Sequence, residues 1–530
     1  MEAGSDGQRV QLSRSLLVGF AAGLLVSVWQ AFGPLDYVGW SRMLPVAAVN
    51  LAIGLLLAAV SWLAVRRAGR AAGLLASLAV IVATGVFGYA NVRRDIDVLL
   101  YLSDAQNVQH LSLYGYERET TPTLDRLARE DGTVVFEQAI AQGSYTWGGA
   151  PAVMASVYPS MVGMRSSYTQ GLADKVTTLA EALKSAGYTT CGLVANPHLT
   201  RTSNFDQGFD HYEDSRHWVH AFDAAAATKL FAYWHRRAAG RKPRFGLVFV
   251  VDCHAGLYPA TVEDVRRFRP EFDLAIERRH KVIDHEAWQA LTTRPEDLIA
   301  FYDASVRIVD HSFGALLEYL KTSGDLDNTL LVFTSDHGEE FWQHGDLGHP
   351  GKLYDEAIRI PLLVRFPSPV HFPRLRPVTL RFPDQVGQID IMPTVLRFVG
   401  APTDIPAMRG RNLLPYIYGR ARYDPDRPLL SEVYLAKRRM RSWRTSRWKY
   451  IAYYAMRNGK DQVVKEQLFD LLIDPDEKLD MARTEGKLVS RYSAAVAAEV
   501  RSMQPYAVEP AEVRLTEEEL RGLRALGYLK

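Results

Sequence analysis

NTLLVFTSDHGEEFWQHGDLGHPGK, residues 328–352, joins an apolar run to a dense set of Asp, Glu, His and Lys. Leu330, Leu331, Val332 and Phe333 are continuous and apolar, the pattern of a strand buried on both faces of a parallel sheet. Asp336 and His337 follow at its carboxyl end, where open α/β sheets place their ligand sites. An adjacent carboxylate and imidazole offer one hard oxygen and one nitrogen, a pair suited to a divalent metal. His344, His349 and Lys352 complete the polar part of the stretch.

Outward from this segment the text is that of an α/β protein. DVLLYL (97–102), TTCGLVA (189–195) and FGLVFVV (245–251) read as further buried strands, and TPTLDRLARE (121–130) and residues 179–186 as helices. Strands alternating with helices predict a mostly parallel central sheet flanked by helices. Residues 201–241 and 258–296, charged and aromatic, read as loops and short helices around the site. Residues 384–399 read as a late helix interrupted by Pro393. From about residue 425, WRTSRWKYIAYY and EQLFDLLIDPDEK predict a small antiparallel sheet. The expected division is 1–94, 95–424 and 425–530.

The first part differs in kind. Residues 16–32, 43–65 and 71–90 are almost wholly apolar, and about 20 such residues cross a bilayer core, so three transmembrane helices are expected. A cleaved signal peptide would explain one such segment but not three. Arg9, Arg14, Arg66, Arg67 and Arg70 lie on one side of these segments, against Arg42, Arg93 and Arg94 on the other. The positive-inside bias then puts the N-terminus in the cytoplasm and the large domain outside the cytoplasmic membrane, with the lipid bilayer as a partner. A net charge of +2, without a Lys/Arg-rich block, argues against nucleic acid. Two cysteines, Cys191 and Cys253, allow one bridge or two buried thiols.

Metal-type and nucleophilic residues recur at the strand ends. Asp104 closes the first strand, Asp252 and His254 close FGLVFVV, and Thr146 lies in GSYTWGGAP (143–151). Asp104, Asp336 and His337 could hold one divalent cation, with the Thr146 hydroxyl at an open position, where coordination would make it a nucleophile at neutral pH. One imidazole among oxygens allows zinc or manganese. Convergence of Asp252, His254 and His349 would make a second metal site.

DVLLYLSDAQNVQHLSLYGYERETTPTLDRLARE (97–130) resembles the opening of the sulfatase branch of the alkaline phosphatase superfamily. The likeness continues through SVYPSMVG (156–163), LAEALKSAGYTTCGLVANPHL (179–199), NTLLVFTSDHGEEF (328–341), LGHPGKLYDEAIRIPLLVRFP (347–367), QIDIMPTVLRFVGAP (388–402) and LFDLLIDPDEK (468–478). It implies a sulfatase-like α/β sandwich, Asp104, Asp336 and His337 as metal ligands, and Thr146 at the nucleophile position. It also implies that His254 and Lys352 contact the substrate anion or the leaving group, with His349 beside them. Calcium, common in that family, joins zinc and manganese as the expected metal.

The sequence departs from the family at the nucleophile. Sulfatases carry Cys or Ser there, oxidised to formylglycine, in a C/S-x-P-S-R pattern; this chain reads Thr146-Trp147-Gly148-Gly149-Ala150. Threonine cannot become formylglycine. Where relatives read D-T-L-R-A-D, this chain has Asp104 to Gln109 as D-A-Q-N-V-Q, without the Arg or second Asp. Two readings follow. One is a membrane-anchored, metal-dependent hydrolase or transferase of phosphate or sulfate esters, acting on an anionic ester of an envelope glycan or a lipid head group. The other is a non-catalytic sulfatase-like module for binding or assembly at the cell envelope.

Overall fold

Nine strands build the central sheet of the computed structural model, which describes residues 96–164, 170–214, 223–241, 243–279, 282–349, 351–367, 380–419, 421–435, 438–517 and 520. They are β1 (Asp97–Ser103), β2 (Thr133–Ile140), β3 (Thr189–Val194), β4 (His211–Asp214), β5 (Arg244–Val250), β6 (Thr329–Thr334), β7 (Arg359–Ile360), β8 (Leu362–Arg365) and β9 (Leu380–Gly387). The three apolar segments expected to span a membrane lie outside the described residues. Among the described residues no helix is long and apolar enough to cross one.

Strands β6, β1, β5, β3 and β4 lie side by side in that order, all parallel. β1, β5 and β6 are buried along their whole length, as their unbroken apolar runs require. Beyond β6 the pattern changes. β8 runs antiparallel to both β6 and β2, β7 antiparallel to β2, and β9 parallel to β2. The sheet is therefore mixed, with five parallel and three antiparallel strand pairings, so the expected parallel character holds on one side of β6 and gives way on the other. The connection from β6 to β8 carries the polar site stretch and no long crossover helix, so the chain returns antiparallel.

Helices flank the sheet: α1 (Pro122–Leu127), α2 (Thr146–Ala155), α3 (Leu179–Ser185), α4 (Ala224–Arg237), α5 (Pro295–Thr322) and α6 (Ile391–Val399). α5 packs against α1 and α4, while α2, α3 and α6 pack on one another. Phe313 of α5 seats on Tyr101 and Phe333 of the sheet, with ring centroids 4.9 and 5.0 Å apart.

Two stretches differ from expectation. Residues 201–241 hold the 14-residue helix α4, whose buried Ala227, Phe231, Trp234 and His235 repeat at helical spacing behind an Asp223 cap. Residues 384–399 are not one helix: β9 ends at Gly387 and α6 starts at Ile391. Pro393 falls in the first turn of α6, where its missing N–H leaves no bond unmade. The antiparallel sheet expected near the C-terminus is present as β10 (Leu429–Tyr434), β11 (Arg439–Arg444), β12 (Trp448–Arg457) and β13 (Lys460–Asp470). Its buried Lys449 ammonium lies 2.9 Å from both Asp355 of the core and Glu477.

Candidate active site

The parallel register decides which residues meet. Ser103 pairs with Val250, Leu102 with Thr334 and Val194 with Phe249, so Asp104, Asp252, Asp336 and Asn196 emerge at one end of the sheet. Asp104, Asp336 and His337 are fully buried and offer one atom each within 4.8 Å of one another. His337 Nε2 lies 3.5 Å from Asp104 Oδ1 and 3.5 Å from Asp336 Oδ2. None of these three atoms has a hydrogen-bond partner.

Their other polar atoms are all engaged. Asn196 Nδ2 donates to Asp104 Oδ2 at 2.6 Å. The N–H groups of Ala105 and His337 donate to Asp336 Oδ1 at 3.3 and 3.0 Å. His337 Nδ1 donates to the Gly338 carbonyl at 2.8 Å, which leaves Nε2 with its lone pair bare. Burial, and then the charge of Asp336, pushes the Asp104 carboxyl well up; burial likewise raises Asp336, and burial with nearby His349 pushes His337 well down. Two carboxylates and an imidazole, buried with an unmet atom each, would be costly without a cation among them. The donor set fits a divalent metal.

Thr146 opens helix α2. Its Oγ accepts from Asn196 Nδ2 at 3.2 Å, and its side chain counters part of the rise that burial gives the Asp336 carboxyl. The glycines behind it have a packing reason: a Cβ at Gly149 would stand 2.1 Å from the Asp336 carbonyl oxygen. Only glycine lets the first turn of α2 lie on the backbone that carries the ligands.

The His254 and His349 ring centroids are 4.8 Å apart, and His349 lies 4.5 Å from His337. Burial and then His349 hold His254 down to about 3. Burial pulls His349 down as well, but Glu339, with Oε1 3.3 Å from its Nδ1, lifts it above the ordinary value. Lys352 is turned to other partners: Nζ meets His344 O at 2.6 Å, Asp346 Oδ2 at 2.9 Å and Glu340 Oε1 at 3.1 Å. Asp252 does not converge with His254 and His349 on a second metal, because both its oxygens accept the Ala224 N–H at 3.1 Å and cap α4. Among the described residues, Asp104, Asp336 and His337 are the one group of His, Cys, Asp and Glu spaced to hold an ion. Cys191 and Cys253 are free, buried thiols.

Residues 96–401 match the Sulfatase family profile. The chain belongs to the sulfatase family. Residues 349–494 also match the profile described as N-sulphoglucosamine sulphohydrolase, C-terminal. An endo-4-O-sulfatase from Bacteroides thetaiotaomicron is 33% identical over 215 residues, 38% of this chain and 40% of that protein. Arylsulfatase K from Rattus norvegicus is 30% identical over 195 residues, 35% of this chain and 32% of that protein. The chain thus spans well under half the length of these curated relatives. The phosphonate monoester hydrolase of Agrobacterium radiobacter shares the fold, with a TM-score of 0.59 at 20% identity over 79% of this chain and 100% of that one.

Sulfatases generally bind a divalent metal, and in this sulfatase-family chain the residues that fit one are Asp104, Asp336 and His337. The sequence reading had these three and Thr146, but it missed Asn196 and Glu339. A signal for Asn196 existed: it stands two residues beyond the end of β3, as Asp336 stands two beyond the end of β6.

Proposed function

We propose that this chain is a metal-dependent hydrolase or transferase of phosphate or sulfate esters, with Thr146 as nucleophile. The observation that carries the reading is the trio of buried, unmet atoms Asp104 Oδ1, Asp336 Oδ2 and His337 Nε2, with the Thr146 hydroxyl linked to Asp104 through the Asn196 amide. A bound divalent cation would lower the pKa of the adjacent hydroxyl and polarise a non-bridging ester oxygen.

The remaining chemistry falls to the chain. Thr146 Oγ forms a bond to the central phosphorus or sulfur as the bond to the leaving oxygen breaks, and the proton given up by Thr146 balances the one the leaving alcohol takes. His254 and His349, grouped beside His337, are the side chains assigned to that leaving oxygen. Water, or an acceptor hydroxyl in a transferase, then displaces Thr146 and restores its proton. Because threonine cannot become formylglycine, phosphorus is favoured over sulfur at the chemical step. The likeness to an endo-4-O-sulfatase supports an anionic ester of a glycan over one of a lipid head group. The apolar segments 16–32, 43–65 and 71–90 support anchoring in the cytoplasmic membrane with the catalytic unit outside it. Fractionation that recovered the full chain only in the soluble phase would reject the anchor.

One observation favours the second reading, a non-catalytic binding or assembly module. The Lys352 ammonium is spent on Glu340, Asp346 and the His344 carbonyl, while Ala150 and Asn107 stand where relatives carry Arg. Turnover of an aryl phosphodiester and an aryl sulfate by purified protein separates the readings. The enzyme reading expects turnover that falls about 10³-fold or more in Thr146→Ala. Metal-loaded protein that cleaves neither ester would overturn it.

A further inference from the structure

We propose that Asn196 is the positioning residue of this centre, selecting which oxygen of Asp104 faces the metal and turning the Thr146 hydroxyl. The inference rests on the reading of Thr146 and the ligand trio given above.

Its side chain is fully buried, and its orientation is fixed by its neighbours. The His198 N–H donates to Asn196 Oδ1 at 2.9 Å, so the amide nitrogen must point the other way, into the site. There Nδ2 has two hydrogens and two acceptors, Asp104 Oδ2 at 2.6 Å and Thr146 Oγ at 3.2 Å. Both donor hydrogens of the amide and one lone pair of its oxygen are therefore used inside the fold.

Two consequences follow. Occupation of Asp104 Oδ2 leaves Oδ1 as the oxygen presented to Asp336 and His337, so Asp104 offers one ligand atom rather than two. Since the amide nitrogen can only donate, Thr146 Oγ accepts, and its own hydrogen is directed away from Asn196. One neutral side chain thus couples ligand and nucleophile without adding charge. A Cβ-truncated residue would free both oxygens of Asp104 and let Thr146 rotate about χ1.

The test uses the full chain and compares wild type with Asn196→Ala and the isosteric Asn196→Asp, each checked for fold by circular dichroism. Zinc affinity is read by competition with a chromogenic chelator, and kcat and KM on an aryl phosphodiester. Asn196→Ala is expected to lower zinc affinity about tenfold and kcat about 10- to 100-fold, with KM within about twofold, the range for groups that orient metal ligands. Asn196→Asp keeps the shape but cannot donate; kcat is expected to fall as far while zinc affinity equals or exceeds wild type, because a carboxylate has been added. A merely structural role would not move the two readouts in opposite directions. Folded variants with kcat and zinc affinity both within about twofold of wild type would overturn the proposal. If wild type turns over no ester, the nucleophile reading fails, and the zinc arm alone still decides the role of Asn196 toward Asp104.

Discussion

The two halves of the site are built differently. The ligand half, Asp104, Asp336 and His337, stands on the ends of adjacent parallel strands, and each ligand has one polar atom tied down and one left bare. The half proposed to meet the substrate, His254, His349 and Lys352, is carried by loops, and its lysine is committed to carboxylates of its own loop. Strand ends fix a geometry that loop side chains can only approach, so on the function proposed above the sheet half would hold the metal and the loop half would select the substrate.

Forcing helix α2, which carries Thr146, off the ligand half should have the largest effect. Gly149→Ala inserts a methyl group against the Asp336 carbonyl, and overpacking of this kind costs about 1–3 kcal/mol. Displacement of Thr146 is expected to lower kcat about 10²-fold, because small misplacements of a reacting group are felt at that scale. Thermal melting together with steady-state kinetics reads both; an unchanged kcat would show that α2 does not set the nucleophile.

Lys352 tests the loop half. Lys352→Met removes a partner of the fully buried Glu340 and should destabilise by about 1–3 kcal/mol, measured by urea unfolding. Activity measured at a temperature where the variant is folded is expected to fall less than about tenfold, since the ammonium is spent on the loop. A loss of 10²-fold or more, the usual cost of an anion donor, would mean that Lys352 leaves Glu340 to meet substrate.

The smallest effect concerns pH. His344 Nδ1 meets Glu356 Oε1 at 2.5 Å and Nε2 meets the Glu477 carbonyl at 3.1 Å. Burial lowers its pKa, but Glu356 raises it above the ordinary value near 6.5. A folded pKa above the unfolded one adds stability that is fully present below about pH 6.5 and is lost as pH rises through the folded value. The melting temperature should therefore decline on the alkaline side of pH 6.5, and His344→Gln should flatten that decline. An identical slope in the variant would remove His344 from the account.

Much of this was legible in the sequence because β1, β5 and β6 are unbroken apolar runs that end in Asp or His. Thr146 was legible as a hydroxyl in a loop of unusual composition. Gly149 was visible only as a departure, since the reason for it is a backbone contact with Asp336, nearly two hundred residues away. Asn196 looked like any asparagine after a strand until the sheet brought it beside Asp104 and Thr146. Lys352 was assigned to the anion by the family resemblance, and its pairing with Glu340 and Asp346 of the same stretch shows only in side-chain geometry. Helix α4 was hidden in a charged region whose apolar residues keep a helical spacing that its overall composition obscures.

The central claim is that Asp104, Asp336 and His337 hold one divalent metal beside Thr146. With one ligand atom from each and one of them nitrogen, the set suits zinc or manganese better than calcium, which takes six to eight oxygens. Native mass spectrometry after dialysis against each metal tests this directly. The account predicts one ion per chain, retained for zinc or manganese more tightly than for calcium, and none in the Asp336→Ala, His337→Ala double variant. Wild-type protein that holds no ion, or a double variant that holds one as tightly as wild type, would contradict it.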